Sequence, residues 1–187
     1  MILKSFFKWS FTDTFKLPPP SLDDGKLNHK RSYKDEEKNG LSETYYENGQ
    51  LMSKGNYKAE KKDGFWESYR TNGQLNHKGH YKDGKKDGLE IWYHKNGQLW
   101  SKGHYKDEVK DGLSETYYEN GQLETKGNYK DGKREDGLWE LYHKNGQLNN
   151  KGYYKDGERE GLWEFYHKNG QLYSKGHYKE GKKSMIK

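Results

Sequence analysis

The strongest constraint on this chain is that it repeats itself. Asn-Gly-Gln-Leu begins at residues 48, 72, 96, 120, 145 and 169, a period of 24 residues with one step of 25. Each is followed by Lys-Gly, as in Gly146 to Gly152, and then by Gly-Leu or Gly-Phe: Gly64-Phe65, Gly88-Leu89, Gly112-Leu113, Gly137-Leu138 and Gly161-Leu162. The extra residue of the longer step falls in the polar connection 130–136, where loops tolerate insertion. Residues 25–33 read as a half unit ahead of the six full ones. A period this short gives each unit room for one supersecondary element, which must bury its apolar surface against its neighbours.

Asn-Gly between segments rich in Tyr, Trp and Leu predicts a β-hairpin, because a two-residue type I′ turn needs positive φ at both central positions. Such a turn at Asn145-Gly146 sets Glu140 opposite Lys151, and likewise Glu43 opposite Lys54, Glu67 opposite Lys78, Glu115 opposite Lys126 and Glu164 opposite Lys175. Ile91 opposite Lys102 breaks the series. Each opposite-charge pair contributes tenths of a kcal/mol to about 1. The same register puts Trp66 over Gly79, Trp139 over Gly152 and Trp163 over Gly176, an aromatic covering backbone that lacks a side chain. Asp63, Asp87, Asp111 and Asp136, each just before a glycine, read as turn residues. The fold expected is all-β: a repeat array of antiparallel β-hairpins in an elongated, twisted, largely single-layer meander sheet of about 13 strands, spanning about 60 Å. A rolled, partly closed sheet is the structural alternative.

Composition agrees with an open array. Only 28% of the residues are apolar, too few for a large core, but 17 Tyr, 6 Trp and 6 Phe supply buriable surface that a disordered chain lacks. With no cysteine there is no disulfide framework, thiolate zinc site or cysteine nucleophile. Of the net charge of +6, residues 1–20 carry +2 and residues 181–187 carry +3, so the body is nearly neutral and no specific nucleic acid is expected as a partner. No run approaches the roughly 20 apolar residues of a membrane span.

The same residues offer little to catalytic chemistry. The eight histidines sit at repeat positions, so equivalents lie two strands or about 9–10 Å apart, too far to converge on one ion. Copies spread along a surface do not make the convergent constellation that catalysis requires. No metal, cofactor, catalytic residue or small-molecule substrate is expected. The better candidates for contact are the aromatics: Trp66, Trp139 and Trp163 share one hairpin position, with Trp92 and Trp100 nearby, and aromatics are favoured interface anchors. Stacking among themselves to hold the sheet is the competing role for these rings.

The unit Gly-Leu-Trp-Glu-Leu-Tyr-His-Lys-Asn-Gly-Gln-Leu (137–148), followed by Lys-Gly-Tyr-Tyr-Lys-Asp-Gly (151–157), resembles the MORN repeat, in the variant found in bacterial proteins named as YwqK-family antitoxins. The resemblance covers about residues 22–181. It implies single-layer hairpin arrays that serve as scaffolds or binding surfaces, with membrane-lipid binding proposed for some members and toxin neutralisation implied by the name.

Residues 1–20 form a segment of different composition. Leu3, Phe7, Phe11 and Phe15 recur every four residues with Lys4, Lys8 and Lys16 elsewhere on the wheel, which predicts a short amphipathic helix stopped by Pro18-Pro19-Pro20. Such a helix would cap a sheet end or touch a membrane surface through Lys4, Phe7, Lys8 and Phe11; a disordered or partner-binding segment is the third reading. The division expected is thus residues 1–20, hairpin repeats over 21–181 and a basic tail over 182–187. Without a secretion signal or span, a cytoplasmic location is expected. The function expected is a non-enzymatic repeat scaffold for another protein. A lipid-binding scaffold, an antitoxin-like neutralising protein and a glycan-binding module using the tryptophans are the alternatives.

Overall fold

The computed structural model describes residues 29–34 and 37–184, with side-chain surroundings from Lys38 onward. The segment expected to be helical, with Lys4, Phe7, Lys8 and Phe11, lies outside the described residues. Fifteen strands follow one another without a helix among the described residues: β1 His29–Lys34, β2 Glu37–Tyr45, β3 Leu51–Lys58, β4 Lys61–Tyr69, β5 Leu75–Lys82, β6 Lys85–Tyr93, β7 Leu99–Lys106 and β8 Val109–Tyr117. β9 Leu123–Lys130, β10 Lys133–Arg134, β11 Gly137–Tyr142, β12 Leu148–Lys155, β13 Glu158–Tyr166, β14 Leu172–Lys179 and β15 Lys182–Lys183 complete the chain. They form one open antiparallel meander in sequence order, with the two-residue β10 paired to β9 beside the main path.

The expected register is present. Glu43 faces Lys54, Glu67 faces Lys78, Glu115 faces Lys126, Glu140 faces Lys151, Glu164 faces Lys175, and Ile91 stands opposite Lys102. The turn that produces it differs from the expectation. At Asn145-Gly146 the Gly146 amide donates to the His143 carbonyl and the His143 amide donates to the Gln147 carbonyl, both at 2.8 Å. Gly146 alone has positive φ, at 83°. The loop is therefore three residues, a type I turn closed by a left-handed glycine. That would shift the pairing by one residue, but a bulge between Leu141 and Tyr142 in the ladder with β12 shifts it back.

The two-residue type I′ turns are at the other end of the hairpins. Asp83-Gly84, Asp131-Gly132 and Asp156-Gly157 have positive φ at both positions, and so do Ala59-Glu60 and Asp107-Glu108, which carry no glycine. Asp63, Asp87 and Asp111 are strand residues at a second bulge and not turn residues. There the chain runs Asp63-Gly64-Phe65-Trp66 while β3 supplies only Asn56 and Gly55 as partners of Asp63 and Trp66. Gly64 makes this bulge with φ of 75°. Asp136 lies between β10 and β11. Lys182 and Lys183, expected in a basic tail, form β15 against Tyr178 and Lys179.

Candidate functional site

Side chains alternate between the two faces of a strand, and here the faces differ sharply. The residue two past each bulge glycine is Ser42, Trp66, Glu90, Ser114, Trp139 or Trp163, and none is more than 4% exposed. The residue just before it points the other way: Leu41, Phe65, Leu89, Leu113, Leu138 and Leu162 are 39–45% exposed. One face is sealed and the other is open.

The sealed face closes over itself because each ring has a bare neighbour below and a cation above. A β-carbon on Gly55, Gly127 or Gly152 would collide with the indole of Trp66, Trp139 or Trp163. Each tryptophan thus covers the glycine of the preceding strand and not, as expected, that of the following one, although Gly79, Gly152 and Gly176 are their register partners there. Tyr57 meets Trp66 edge-on at 5.1 Å, Tyr129 meets Trp139 at 5.2 Å and Tyr154 meets Trp163 at 5.2 Å. Lys62 lies 4.4 Å over Trp66, Arg134 4.8 Å over Trp139 and Arg159 4.4 Å over Trp163. Such cation–π contacts contribute about 0.5–2 kcal/mol each. Burial pulls the Lys62 ammonium below its usual range, with Glu90 and Glu108 opposing that shift.

The indole N–H of Trp66 donates to the Asn56 carbonyl at 3.0 Å and that of Trp163 to the Tyr153 carbonyl at 3.1 Å. Trp139 has no such partner. The corresponding carbonyl, on Asn128, accepts from the amide of Glu135, the residue inserted in this unit.

Trp92 and Trp100, the other two candidate contact residues, belong to a polar interruption of this face. Glu90 occupies the tryptophan position over Gly79, is fully buried, and shares a hydrogen bond through Oε2 with His77 Nε2. The His77 ring stacks on Trp92 at 3.9 Å, Trp92 meets Trp100 at 6.4 Å, and Trp100 is 47% exposed. The other oxygen of Glu90 has no partner. Burial, then Glu90 and Glu108, pushes the neighbouring Tyr81 phenol up to about 12. The periodicity placed the tryptophans but missed this pair; aligning the units shows Glu90 where three others have Trp.

The open face carries three parallel rows. Leu41, Phe65, Leu89, Leu113, Leu138 and Leu162 alternate with Asn56, His80, His104, Asn128, Tyr153 and His177, all exposed. Beside them runs the acid–base row, in which Lys54–Glu67 (2.9 Å), Lys102–Glu115 (2.7 Å) and Lys151–Glu164 (3.2 Å) are ion pairs. The phenols of Tyr69, Tyr117 and Tyr166 donate to the same carboxylates. At Glu67 and Glu115 burial alone would raise the carboxyl, but the lysine and tyrosine hydrogen bonds prevail and hold it below the usual range; at Glu164 the Tyr166 and then Lys151 bonds do so.

No group of three or more His, Cys, Asp or Glu able to hold a metal occurs among the described residues. No helix among them is long and apolar enough to cross a membrane. A hollow of about 790 Å³ lies at the Asn-Gly end between His143, Asn149, His167 and Tyr173.

A one-layer ribbon of near-identical hairpins, with turns clipped to turns, defines a repeat scaffold. The MORN repeat variant matches it at residues 38–59, 62–83, 86–107, 110–131, 135–156 and 159–180, and the chain belongs to that family. MORN repeats are found in scaffolds that meet proteins or membranes. No curated protein matches the chain. Among solved structures, a chain of the GtfA/B complex bound to UDP and GlcNAc is similar to 76% of this chain at 12% identity, with a TM-score of 0.27. The match spans 29% of that chain's length.

Proposed function

We propose that the protein is a non-enzymatic scaffold that binds another protein on its open face. The observation that carries this reading is that Leu41, Phe65, Leu89, Leu113, Leu138 and Leu162 recur along one face, each about two-fifths exposed, while the residues that follow them point to the opposite face and are nearly inaccessible. Six apolar side chains about 10 Å apart, interleaved with Asn56, His80, His104, Asn128, Tyr153 and His177, span roughly 50 Å of this face, and a strip of mixed apolar and polar groups has the make-up of a protein contact surface. Phe65 and the 57% exposed Tyr153 are its aromatic anchors. The buried Trp66, Trp139 and Trp163 serve the sheet itself, and among the described tryptophans Trp100 is the exposed one.

A photo-crosslinking amino acid at Leu89 or Leu113, against the same group at Lys86 or Lys110 on the sealed face, tests this in cells. The partner recovered from the open-face positions is then purified and titrated. Binding weakened by Phe65→Glu, Leu89→Glu and Leu113→Glu supports the reading. Crosslinks confined to the sealed face, or an affinity indifferent to these changes, overturn it.

A further inference from the structure

From the outer edge of β14 we infer a second binding site, separate from the open face, that takes an extended peptide strand carrying an aromatic residue followed by an acidic one. The internal repeats show what such an edge accepts, because three interactions run forward from each unit to the next. Side chains at the first turn position reach the following unit's backbone: Tyr46 to the Tyr69 carbonyl, Arg70 to Tyr93, His94 to Tyr117, Tyr118 to Tyr142 and His143 to Tyr166. In three units the lysine before the strand glycine pairs forward, as Lys54 does with Glu67, Lys102 with Glu115 and Lys151 with Glu164, whereas Lys78 faces Ile91 and Lys126 pairs back with Glu115. The strand glycine is covered from the next strand, as Gly55, Gly127 and Gly152 are by Trp66, Trp139 and Trp163.

At β14 the same three groups have no recipient among the described residues. Among the described residues nothing forms a ladder with Leu172–Gly176 on the outer side: β15 pairs with Tyr178 and Lys179, and the Ser184 amide and hydroxyl donate to the His177 carbonyl. His167 reaches no carbonyl, its ring lying 4.5 Å from that of the exposed Tyr173. Lys175 makes no ion pair among the described residues, the Glu164 opposite it being held by Lys151. Over Gly176, where an indole stands in three other units, lies the stem of Lys183, whose Cε would be 2.7 Å from an added β-carbon. That stem is flexible and can yield to a ring. Strand addition supplies main-chain hydrogen bonds and the side-chain slots supply selectivity. The fitting sequence is the one that recurs inside the array, Trp66-Glu67, Trp139-Glu140 and Trp163-Glu164.

The probe is a fluorescent peptide of residues 157–168, titrated by anisotropy into the full chain. Saturable one-to-one binding is expected, weakened roughly tenfold or more by Gly176→Ala or Lys175→Glu in the chain or by Trp163→Ala in the peptide. A peptide with Glu164→Lys should recover binding to the Lys175→Glu chain, and Leu113→Glu should leave binding unchanged, which separates this site from the open face. Circular dichroism of each variant shows that it is folded. No binding up to about 1 mM, or binding indifferent to these changes, overturns the inference. So does a chain that sediments as a dimer the peptide cannot dissociate, which would give this edge to a second copy.

Discussion

His77 and Glu90 are joined by a hydrogen bond inside a face that is otherwise aromatic, with Glu90 fully buried at the position held by Trp66, Trp139 and Trp163. Oε1 of Glu90 has no partner, and the histidine is fixed between Oε2 and the Trp92 ring. Removing one member of a buried pair leaves the other uncompensated, which costs about 3–5 kcal/mol, whereas replacing both with well-packed residues is neutral or stabilises by about 1–4 kcal/mol. His77→Ala should therefore destabilise the chain strongly. The double change His77→Ser with Glu90→Trp, which reproduces the Ser53 and Trp66 pair of the preceding unit, should match or exceed the parent. Urea unfolding of the three proteins checks the order.

The strand glycines separate into those beneath a ring and one that is not. Gly152→Ala drives a methyl into the Trp163 indole, which is fully buried and cannot withdraw, so a loss of about 1–3 kcal/mol is expected. Gly176→Ala meets only the end of Lys183 and should leave stability nearly unchanged. Equal melting temperatures for the two variants would contradict the placement of the indoles over the preceding strand.

Ala59 and Glu60 occupy a type I′ turn with φ of 47° and 64°, a conformation that costs an ordinary residue roughly 1–2 kcal/mol. Glu60 offsets this by accepting the Lys38 amide at 2.6 Å, whereas the Ala59 methyl can make no hydrogen bond. Ala59→Asp, matching Asp83, Asp107, Asp131 and Asp156, should stabilise by about 0.5–1 kcal/mol, read from the unfolding midpoint.

Acid and alkali should act on opposite faces. Glu67, Glu115 and Glu164 have carboxyls held below the usual 4.5, so their stabilisation is complete above that value and is lost as pH falls through the depressed folded values. Glu67→Gln, Glu115→Gln and Glu164→Gln together should flatten the acid limb of a stability–pH curve. The Tyr81 phenol, raised from 10.0 to about 12, adds stability that is complete below pH 10 and vanishes as pH rises through about 12. Tyr81→Phe should flatten the alkaline limb and leave the acid one in place.

Much of this architecture was legible because a period of 24 residues repeats each error and each success six times. The acid–base register was read from Asn-Gly, although the turn there is three residues long; Asn and Gly suit a type I turn with a left-handed close as well as a type I′ turn, and the bulge that restores register leaves no mark in residue type. Ala59-Glu60 shows the converse, a type I′ turn with neither Asn nor Gly, set by the strands on both sides. Alternation separates Leu138 from Trp139, but only packing shows which is covered, since both are apolar. That decision rests on Arg134 and Tyr154 folding over the ring, a long-range outcome of the array.

The contrast between adjacent residues Leu113 and Ser114, 39% and 4% exposed, allows the most direct test of the scaffold reading. The chain has no cysteine, so Leu113→Cys and Ser114→Cys each give a single thiol whose labelling rate can be measured with and without the bound partner. The thiol at 113 should react rapidly in the isolated chain and be protected in the complex, while that at 114 stays slow in both. Equal rates in the isolated chain, or a thiol at 113 that the partner leaves as reactive as before, would contradict the account.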